Sequence, residues 1–347
     1  MTVRRLLLLS LVVGVGLGRS LAVDAEETAA TDLRRFEFAE PHMGTQFALV
    51  FYAANDRIAN QAARLAFARI ATLDRCLTDY DAASESRRLA ARFDEPVADG
   101  EFVPVSQDLW DVLTASLELS RRTDGAFDVT VGPLTYRWRR VRRRKELMPP
   151  DTLAQARTSV GFDLIQMHPD RRAVRLAKSG MRLDFGGIAK GYAADEARSI
   201  LAEQGITRAL VNAGGDLVLG DPPPGKSGWQ VGVAPLARDG AASRTVPLAN
   251  CGVATSGDVW QYVEIDGQRY SHILDPKTGL GLTTRVAVTV IARSGAEADG
   301  LASAVSVMGP EKGLQAVELW EGTEALVVSA KEDDVQIEES SGFPSAD

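Results

Sequence analysis

The amino-acid sequence predicts an α+β fold in which helices pack on mixed sheets, and three observations support this class. Helical spacing of apolar residues marks separate stretches of the chain, while the second half alternates strand-like apolar segments with Gly-rich turns. Strands and helices do not follow each other in a regular βαβ order, which disfavours a doubly wound sheet. The sequence also contains no internal repeat.

The first half combines one short strand with several helices. An apolar run at 47–51 suits a strand, and apolar residues recur every three or four positions over 57–77, which predicts an amphipathic helix. Ser106 precedes a further helical pattern and is a suitable N-cap. The Pro-Pro pair at 149–150 breaks the chain before a helix at 151–158.

The second half is predicted to contain several strands and one apolar helix. The strands are expected at 209–212, 229–233, 259–265 and 286–291, and the helix at 298–308. Asp266-Gly267 predicts a hairpin turn into a further strand at 269–273. We expect the polar, acidic tail at 331–347 to be frayed, so that the main domain occupies 38–330.

The N-terminus has the layout of an export signal. Arg4 and Arg5 precede an apolar run, and Ser20-Leu21-Ala22 supplies small residues at the positions that a signal peptidase recognises. This predicts a signal peptide at 1–22, a flexible leader at 23–37 and a periplasmic or otherwise extracytoplasmic location. The apolar run is short for a membrane span of about 20 residues, although an uncleaved membrane anchor stays open as the alternative.

Composition restricts the classes of partner. With 347 residues, 45% of them hydrophobic, the chain can bury one large core or two modest ones. The formal net charge of -8 disfavours nucleic acid as a partner. One dense basic run, RWRRVRRRK at 137–145, is either a solvated helix face or a docking surface for an acidic partner. Cys76 and Cys251 are the two cysteines, and the sequence leaves their pairing open.

The segment at 184–192, DFGGIAKGY, is the densest concentration of functional residue types. Asp184 ends a predicted strand, two glycines follow, and a helix begins near Ala189. Glycine permits close approach of backbone to a ligand, and a helix start offers N–H groups to phosphate, with Lys190 as an added positive charge. Taken alone, the segment is better explained as an ordinary strand–turn–helix with an exposed lysine. It is not a Walker A motif.

Two further segments place polar residues at turns. NAGGD at 212–216 and TSGD at 255–258 each adjoin a predicted strand. The strand at 269–273 delivers His272 to the edge of an Asp-Pro-Lys-Thr-Gly turn, where a histidine can act on a ligand or merely support the loop.

Asp299 and Ser303 are four residues apart on the last predicted helix and therefore share one face. A carboxylate and a hydroxyl at this spacing can ligate a hard cation such as Mg²⁺. The alternative is an Asp stabilised by the helix dipole, with Ser303 packed against a neighbouring helix.

Together these segments resemble one family, the ApbE flavin transferases. The resemblance runs from about 38 to 330, with the motifs in the family's order. The matching segments are Met43-Gly44-Thr45, Tyr80 before Ser84-Glu85, GAFDVTVGPL at 125–134, DFGGIAKGYAADEA at 184–197, NAGGDL at 212–217, TSGD at 255–258, HILDPKTG at 272–279 and the Asp299/Ser303 helix.

The resemblance implies an ApbE-like, T-fold-related α+β domain and a site for FAD. It implies that Met43, Tyr80, Ala126, Phe127, Asp128, Asp184, Lys190, His272 and Ile273 contact FAD, with Tyr80 stacking on the isoalloxazine ring. It further implies that the carbonyl of Ala189, with Asp299 and Ser303, holds Mg²⁺. The expected reaction cleaves FAD, attaches FMN to Thr or Ser of an exported redox protein domain and releases AMP.

Several points stay open at this stage. Either His272 or Asp258 could accept the proton of the attacking hydroxyl. Ser303 stands where the family usually has Thr, which keeps the hydroxyl, and Gly300 stands where it often has Ala, which could loosen the helix by up to ~1 kcal/mol. The alternative functions are an FAD pyrophosphatase that produces FMN and AMP, and a flavin-binding protein without catalysis.

Overall fold

The structure of the chain is a computed structural model. It describes residues 33–94, 100–233, 244–257, 261–331 and 334–345. The helices are α1 Asp56–Leu77, α2 Glu85–Arg92, α3 Gln107–Arg122, α4 Gly132–Arg144, α5 Pro150–Arg157, α6 Ala189–Glu203, α7 Gly295–Met308 and α8 Pro310–Glu318. The strands are β1 Arg34–His42, β2 Thr45–Ala53, β3 Val103–Pro104, β4 Ile165–His168, β5 Ala173–Leu176, β6 Ala209–Ala213, β7 Asp216–Leu219, β8 Trp229–Val233, β9 Arg244–Leu248, β10 Gly252–Gly257, β11 Tyr262–Ile265, β12 Gln268–Ser271, β13 Arg285–Ala292, β14 Glu324–Lys331 and β15 Asp334–Glu339.

An eight-stranded sheet forms the centre of the fold, in the order β1-β2-β6-β7-β10-β13-β14-β15. Its strand pairs are antiparallel throughout the described residues, as are those of the three smaller sheets. The α+β class predicted from the sequence is therefore confirmed, with antiparallel pairing in place of the expected mixed pairing.

The two faces of this sheet bury different layers. Phe47, Leu49 and Phe51 of β2 are fully buried on one face, where they pack with α1, α6 and α7. The intervening residues Val50 and Tyr52 join a second cluster that is covered by β8 and β9. This alternation follows the two-residue period of a strand, and burial on both sides fixes the register.

Three two-residue hairpins turn the chain close to the functional segments. Met43-Gly44 joins β1 to β2, Gly214-Gly215 joins β6 to β7, and Asp266-Gly267 joins β11 to β12, with positive φ at each of the six residues. Positive φ at both central positions is the condition of a type I′ turn, which matches the twist of the paired strands.

A smaller core holds the β11–β12 hairpin against two helices. Leu134, Trp138 and Val141 of α4 are buried with Ala156 of α5 and Val263 of β11. The basic run predicted at 137–145 therefore includes a buried apolar stripe, formed by Trp138 and Val141, on an otherwise basic helix.

Two sequence-based expectations are wrong. The leader predicted at 23–37 was expected to be flexible up to residue 37, but β1 begins at Arg34 and pairs with β2. The tail predicted at 331–347 was expected to be frayed, but β15 pairs with β14 along six residues and Phe343 is buried beyond it. Backbone pairing with an existing sheet edge orders both segments. The signal peptide predicted at 1–22 lies outside the described residues.

Two further findings concern the membrane and the cysteines. Among the described residues, none of the helices is both long and apolar enough to span a bilayer. Cys76 and Cys251 are both free thiols.

Candidate active site

A lysine held between two carboxylates lies at the centre of the site. Lys190, near the start of α6, contacts Asp216 at the start of β7, and its Nζ lies 3.9 Å from Oδ1 of Asp299 on α7. The N–H of Gly191 donates to Oδ2 of Asp299 at 3.3 Å. Burial raises the pKa of Asp299 to about 7, with a lowering contribution from Lys190 and a raising contribution from Asp216. Burial lowers the pKa of Lys190, but the two carboxylates more than compensate and raise it above its ordinary value.

The Gly186-Gly187 turn passes directly beside Ser303. A Cβ placed on Gly187 would lie 2.9 Å from the Ser303 Oγ and 3.4 Å from the Phe127 ring, so this turn admits only glycine without a shift of its neighbours. The hydroxyl of Ser303 makes no hydrogen bond to another described residue. The side chain of Asp299 lies one helical turn earlier on the same face.

This set of donors fits a hard divalent cation. Carboxylate, hydroxyl and backbone carbonyl oxygens are the ligands that Mg²⁺ takes from proteins, with waters and substrate phosphates completing the shell. Ala189, the predicted carbonyl ligand, is the first residue of α6, so its carbonyl lies inside the first helical turn. Its role as a ligand stays a prediction.

The start of α6 is less open to phosphate than the sequence suggested. The amide of Gly186 donates to Asp184 Oδ1 at 2.9 Å, and the amides of Ile188 and Ala189 donate to the Phe185 carbonyl at 3.0 and 2.8 Å. These three N–H groups are used within the protein and are not available to a phosphate.

An arginine from the basic run organises the predicted flavin side of the site. Arg139 on α4 donates to both carboxylate oxygens of Asp79, at 3.0 and 2.8 Å, and its guanidinium lies 4.0 Å from the centroid of the Tyr80 ring. It also lies 3.7 Å from Asp184 Oδ2, which accepts a 2.6 Å hydrogen bond from Thr135. Tyr80 remains 79% exposed, so its ring is available to a ligand.

The predicted pocket segment at 126–128 is buried and locally braced. Asp128 accepts hydrogen bonds from the amide and the hydroxyl of Thr130, at 2.7 and 2.6 Å, and burial raises the pKa of this carboxyl. Ala126 and Phe127 are also buried. A cleft of about 490 Å³ adjoins this loop and is lined by Gly125 and Asp128, among others. The carboxylate of Asp128 therefore braces the loop that borders this cleft.

His272 follows the β11–β12 hairpin and is oriented by Gln261. Its amide donates to the Gln261 carbonyl at 3.0 Å, and its ring Nδ1 lies 3.2 Å from the same oxygen. A carbonyl oxygen can only accept, so this geometry assigns the proton of a neutral ring to Nδ1 and leaves the lone pair on Nε2. The amide of Ile273 donates to the Ser271 hydroxyl at 3.1 Å.

Contacts through neighbouring residues bring the remaining predicted segments to the same region. The amide of Met43 donates to Asp74 Oδ2 at 2.8 Å, near the end of α1 and close in sequence to Tyr80. A Cβ on Gly214 would collide with the side chain of Thr45, which shows how closely the Met43-Gly44 and Gly214-Gly215 hairpins approach each other. Thr255 donates its amide to Asp216 Oδ1 at 3.4 Å.

Sequence reasoning missed several members of the site. Asp216 lay inside a noted Gly-rich turn without an assigned role, and its charge opposite Lys190 was the available signal. Arg139, Asp79 and Thr135 carried no signal, because only the tertiary structure brings them together. Asp258, the alternative base, lies outside the described residues.

Comparison with known proteins agrees with this geometry. Residues 43–327 match the model of the ApbE family. A FAD:protein FMN transferase of Klebsiella pneumoniae (strain 342) is 37% identical over 221 residues, which cover 62% of this chain and 63% of that relative. The aligned part thus spans somewhat less than two thirds of that relative's own length.

Solved structures resemble the chain over more of its length. The apo form of the flavinyl transferase ApbE from Pseudomonas stutzeri superposes with a TM-score of 0.78 at 30% identity, covering 90% of this chain and 96% of that one. The ApbE protein from Thermotoga maritima gives a TM-score of 0.78 at 30% identity, with 89% and 98% covered. On the family match and these structures, the chain belongs to the ApbE family.

Proposed function

We propose that this protein is a Mg²⁺-dependent FAD:protein FMN transferase. The observation that carries the proposal is the Asp299–Ser303 pair. The hydroxyl of Ser303 lies beside Gly187, and Oδ1 of Asp299 lies 3.9 Å from Nζ of Lys190. A protein that only binds flavin has no need of a cation site in this position. The similarity to curated FAD:protein FMN transferases supports the same conclusion.

The cation would be held by Asp299, Ser303 and the carbonyl of Ala189. When bound, Mg²⁺ would neutralise the diphosphate of FAD and stabilise charge on the departing AMP. Lys190 holds Asp216 and Asp299 on either side of its ammonium, which limits their repulsion and fixes Asp299 for its role. The family expectation that Ala189 supplies the carbonyl stays a prediction.

The flavin end would be held by Tyr80 and its supporting residues. Both carboxylate oxygens of Asp79 accept from Nη2 of Arg139, which fixes the guanidinium against one face of Tyr80, so that the other face can stack on the isoalloxazine ring. Arg139 and Thr135 also orient Asp184, the predicted polar contact to FAD.

In the transfer step, each bond that forms and each bond that breaks can be named. The hydroxyl oxygen of an acceptor Thr or Ser attacks the FMN-side phosphorus, and a new O–P bond forms. The bond from that phosphorus to the bridging oxygen breaks, and AMP leaves with the bridging oxygen. Nε2 of His272 accepts the hydroxyl proton, because Nδ1 is committed to the Gln261 carbonyl. Asp258 remains the second candidate for this role.

We further propose that the acceptor is an exported domain of a redox protein and that this protein acts outside the cytoplasm. The signal-like segment at 1–22 supports export. N-terminal sequencing of the protein from the periplasmic fraction should give a mature chain that starts near Val23. A chain that still starts at Met1 and sediments with membranes would favour the anchor.

One assay separates the proposed function from its alternatives. The purified protein is incubated with FAD, Mg²⁺ and an exported acceptor domain. Protein-linked flavin fluorescence with AMP release supports the transferase, free FMN with AMP supports the pyrophosphatase, and unchanged FAD supports a binding protein.

A matched pair of serine variants tests the cation site. Ser303→Ala should raise the Mg²⁺ concentration needed for half-maximal activity. Ser306→Ala, on the same helix, removes only a 2.8 Å bond to the Ala302 carbonyl and should leave the Mg²⁺ requirement unchanged. Equal Mg²⁺ titrations for the two variants would contradict the assignment of Ser303.

A further inference from the structure

The outer side of α4 carries an unusual concentration of unpaired positive charge. We define the basic surface as Arg140, Arg143, Arg144 and Lys145. All four side chains are exposed, and none of them forms an ion pair with another described residue. The helix sequence, GPLTYRWRRVRRR, contains no acidic residue. A helix face that serves only solubility usually mixes both signs of charge, because like charges three or four positions apart repel each other.

Helix electrostatics account for only part of this pattern. Cations in the last turn of a helix are stabilised by its dipole, an effect that fades within one turn. Arg143, Arg144 and Lys145 lie in that region, but Arg140 lies one turn earlier. The rest of the chain is strongly acidic, since the run at 137–145 holds seven of the 39 basic residues and leaves 32 against 47 acidic ones. The basic surface can therefore attract an anion, whereas the net negative charge of the rest of the chain repels it.

The same helix forms one wall of the candidate active site. Its first half supplies Thr135 to Asp184, and Arg139 contacts Asp79 and the ring of Tyr80. Arg143 lies one helical turn, about 6 Å, beyond Arg139 on the same face.

The second half of the helix also contacts the His272 hairpin. Arg142 donates to the side chain of Gln261 at 3.3 Å, and the Gln261 carbonyl accepts from His272. Trp138 donates its indole N–H to the Ser271 carbonyl at 3.2 Å. Arg139 and Arg142, which lie next to members of the basic surface along α4, thus reach the flavin side and the His272 side of the site.

We infer that the basic surface docks an acidic segment of the acceptor protein, next to the hydroxyl that receives FMN. This inference rests on the proposed transferase function. The acceptor hydroxyl must reach the FMN-side phosphorus near His272, so the acceptor must cover this border of the site. Carboxylates that flank the hydroxyl on the acceptor then meet exposed guanidinium groups, which bind them in bidentate geometry and steer the encounter. A membrane surface is the less favoured partner, because the acidic remainder of the chain would be repelled by anionic lipid.

Charge reversal on the helix tests the inference. The probe is an exported redox domain that the parent protein flavinylates, and protein-linked flavin is measured over a range of acceptor concentrations. Arg143→Glu/Arg144→Glu should lower kcat/KM for the acceptor by about tenfold or more at low salt, with the Kd for FAD unchanged. The difference should shrink at 1 M salt, where the Debye length falls to about 3 Å. Arg64→Glu/Lys312→Glu makes the same change of charge at exposed positions on α1 and α8, and should behave like the parent.

Two further arms decide between partners. Replacing the carboxylates beside the acceptor hydroxyl with amides should lower kcat/KM for the acceptor by the same factor. Combining the amide acceptor with the Arg143→Glu/Arg144→Glu variant should lower kcat/KM no further. Parent-like transfer by that variant, or an equal loss in the Arg64/Lys312 control, overturns the inference. So does a variant that transfers normally but no longer sediments with phosphatidylglycerol vesicles. If the parent binds FAD but modifies no acceptor, the proposed function itself fails, and the docking inference fails with it.

Discussion

Asp195 fastens α6 to the start of α7, and its titration provides a direct test of the packing that positions Asp299. Its two carboxylate oxygens accept hydrogen bonds from the amides of Gly295 and Ala296, at 2.8 and 2.9 Å. Desolvation raises the pKa of Asp195 from 3.8 to about 6, although these two amides and Arg198 lower it, while Glu196 adds to the increase. The folded protein therefore binds more protons at this position than the unfolded chain does between pH ~4 and ~6.

The sign and size of the effect follow from this difference. The contribution of Asp195 to stability is fully present below its unfolded pKa and is lost as the pH rises through its folded pKa. The interval from 3.8 to about 6 corresponds to about 3 kcal/mol in the free energy of unfolding. Asp195→Asn cannot titrate, so its stability relative to the parent should increase by about that amount between pH ~4 and ~7. Loss of one accepted hydrogen bond adds a constant cost of about 1–3 kcal/mol and does not alter the slope.

Urea unfolding followed by tryptophan fluorescence at several pH values measures this difference. Asp170→Asn, at an exposed position, is the matched control for the removal of one carboxylate. Parallel stability curves for the parent and Asp195→Asn would refute the reasoning. An Asn variant that loses stability relative to the parent as the pH rises would show that the two amides dominate over desolvation.

The remaining predictions concern the site. Asp299→Ala should abolish Mg²⁺-dependent turnover while retaining cooperative thermal unfolding, and activity that survives excess chelator would contradict the cation assignment. His272→Ala should lower kcat by about 10²–10⁴ with little change in FAD affinity, because proton transfer matters mainly in the transition state. Tyr80→Ala should instead raise the KM for FAD, and identical kinetic effects of these two variants would argue against the separate roles. Gly191→Ala places a Cβ against the Gly295 carbonyl, so it should cost about 1–3 kcal/mol of unfolding free energy and weaken Mg²⁺ activation; a parent-like melting temperature would show that the helices separate easily.

Features with a local cause were predicted well from the sequence. Ser106 caps α3 by accepting from the Leu109 amide at 3.2 Å, and Asp266-Gly267 forms the expected hairpin turn. The helix predicted at 57–77 matches α1 to within one residue, because its burial follows the periodic apolar pattern. The strand expected at 259–265 is seen as β11 from Tyr262 onward, and Val259 lies outside the described residues.

Local sequence patterns did not predict the two edge strands of the sheet, β1 and β15. Val335 and Ile337 of β15 are 55% and 57% exposed, so burial in the core does not order this strand. What orders it is backbone hydrogen bonding to β14, an interaction that any sequence compatible with an extended chain can make. Backbone pairing with β2 likewise explains why β1 begins at Arg34, although the leader was predicted to extend to residue 37.

The sequence by itself determined the α+β class, the family and the residues that bring charge to the site, because glycine turns, capping residues and an i, i+4 pair act over a few positions. The tertiary structure alone decided that Lys190 lies between Asp216 and Asp299. It also placed the aromatic ring of Tyr80 against Arg139, a residue of the basic run that the sequence left open as a solvated helix face or a docking surface. Contacts of this kind join residues that are distant along the chain, and they depend on sheet register and helix packing, which local preferences do not specify.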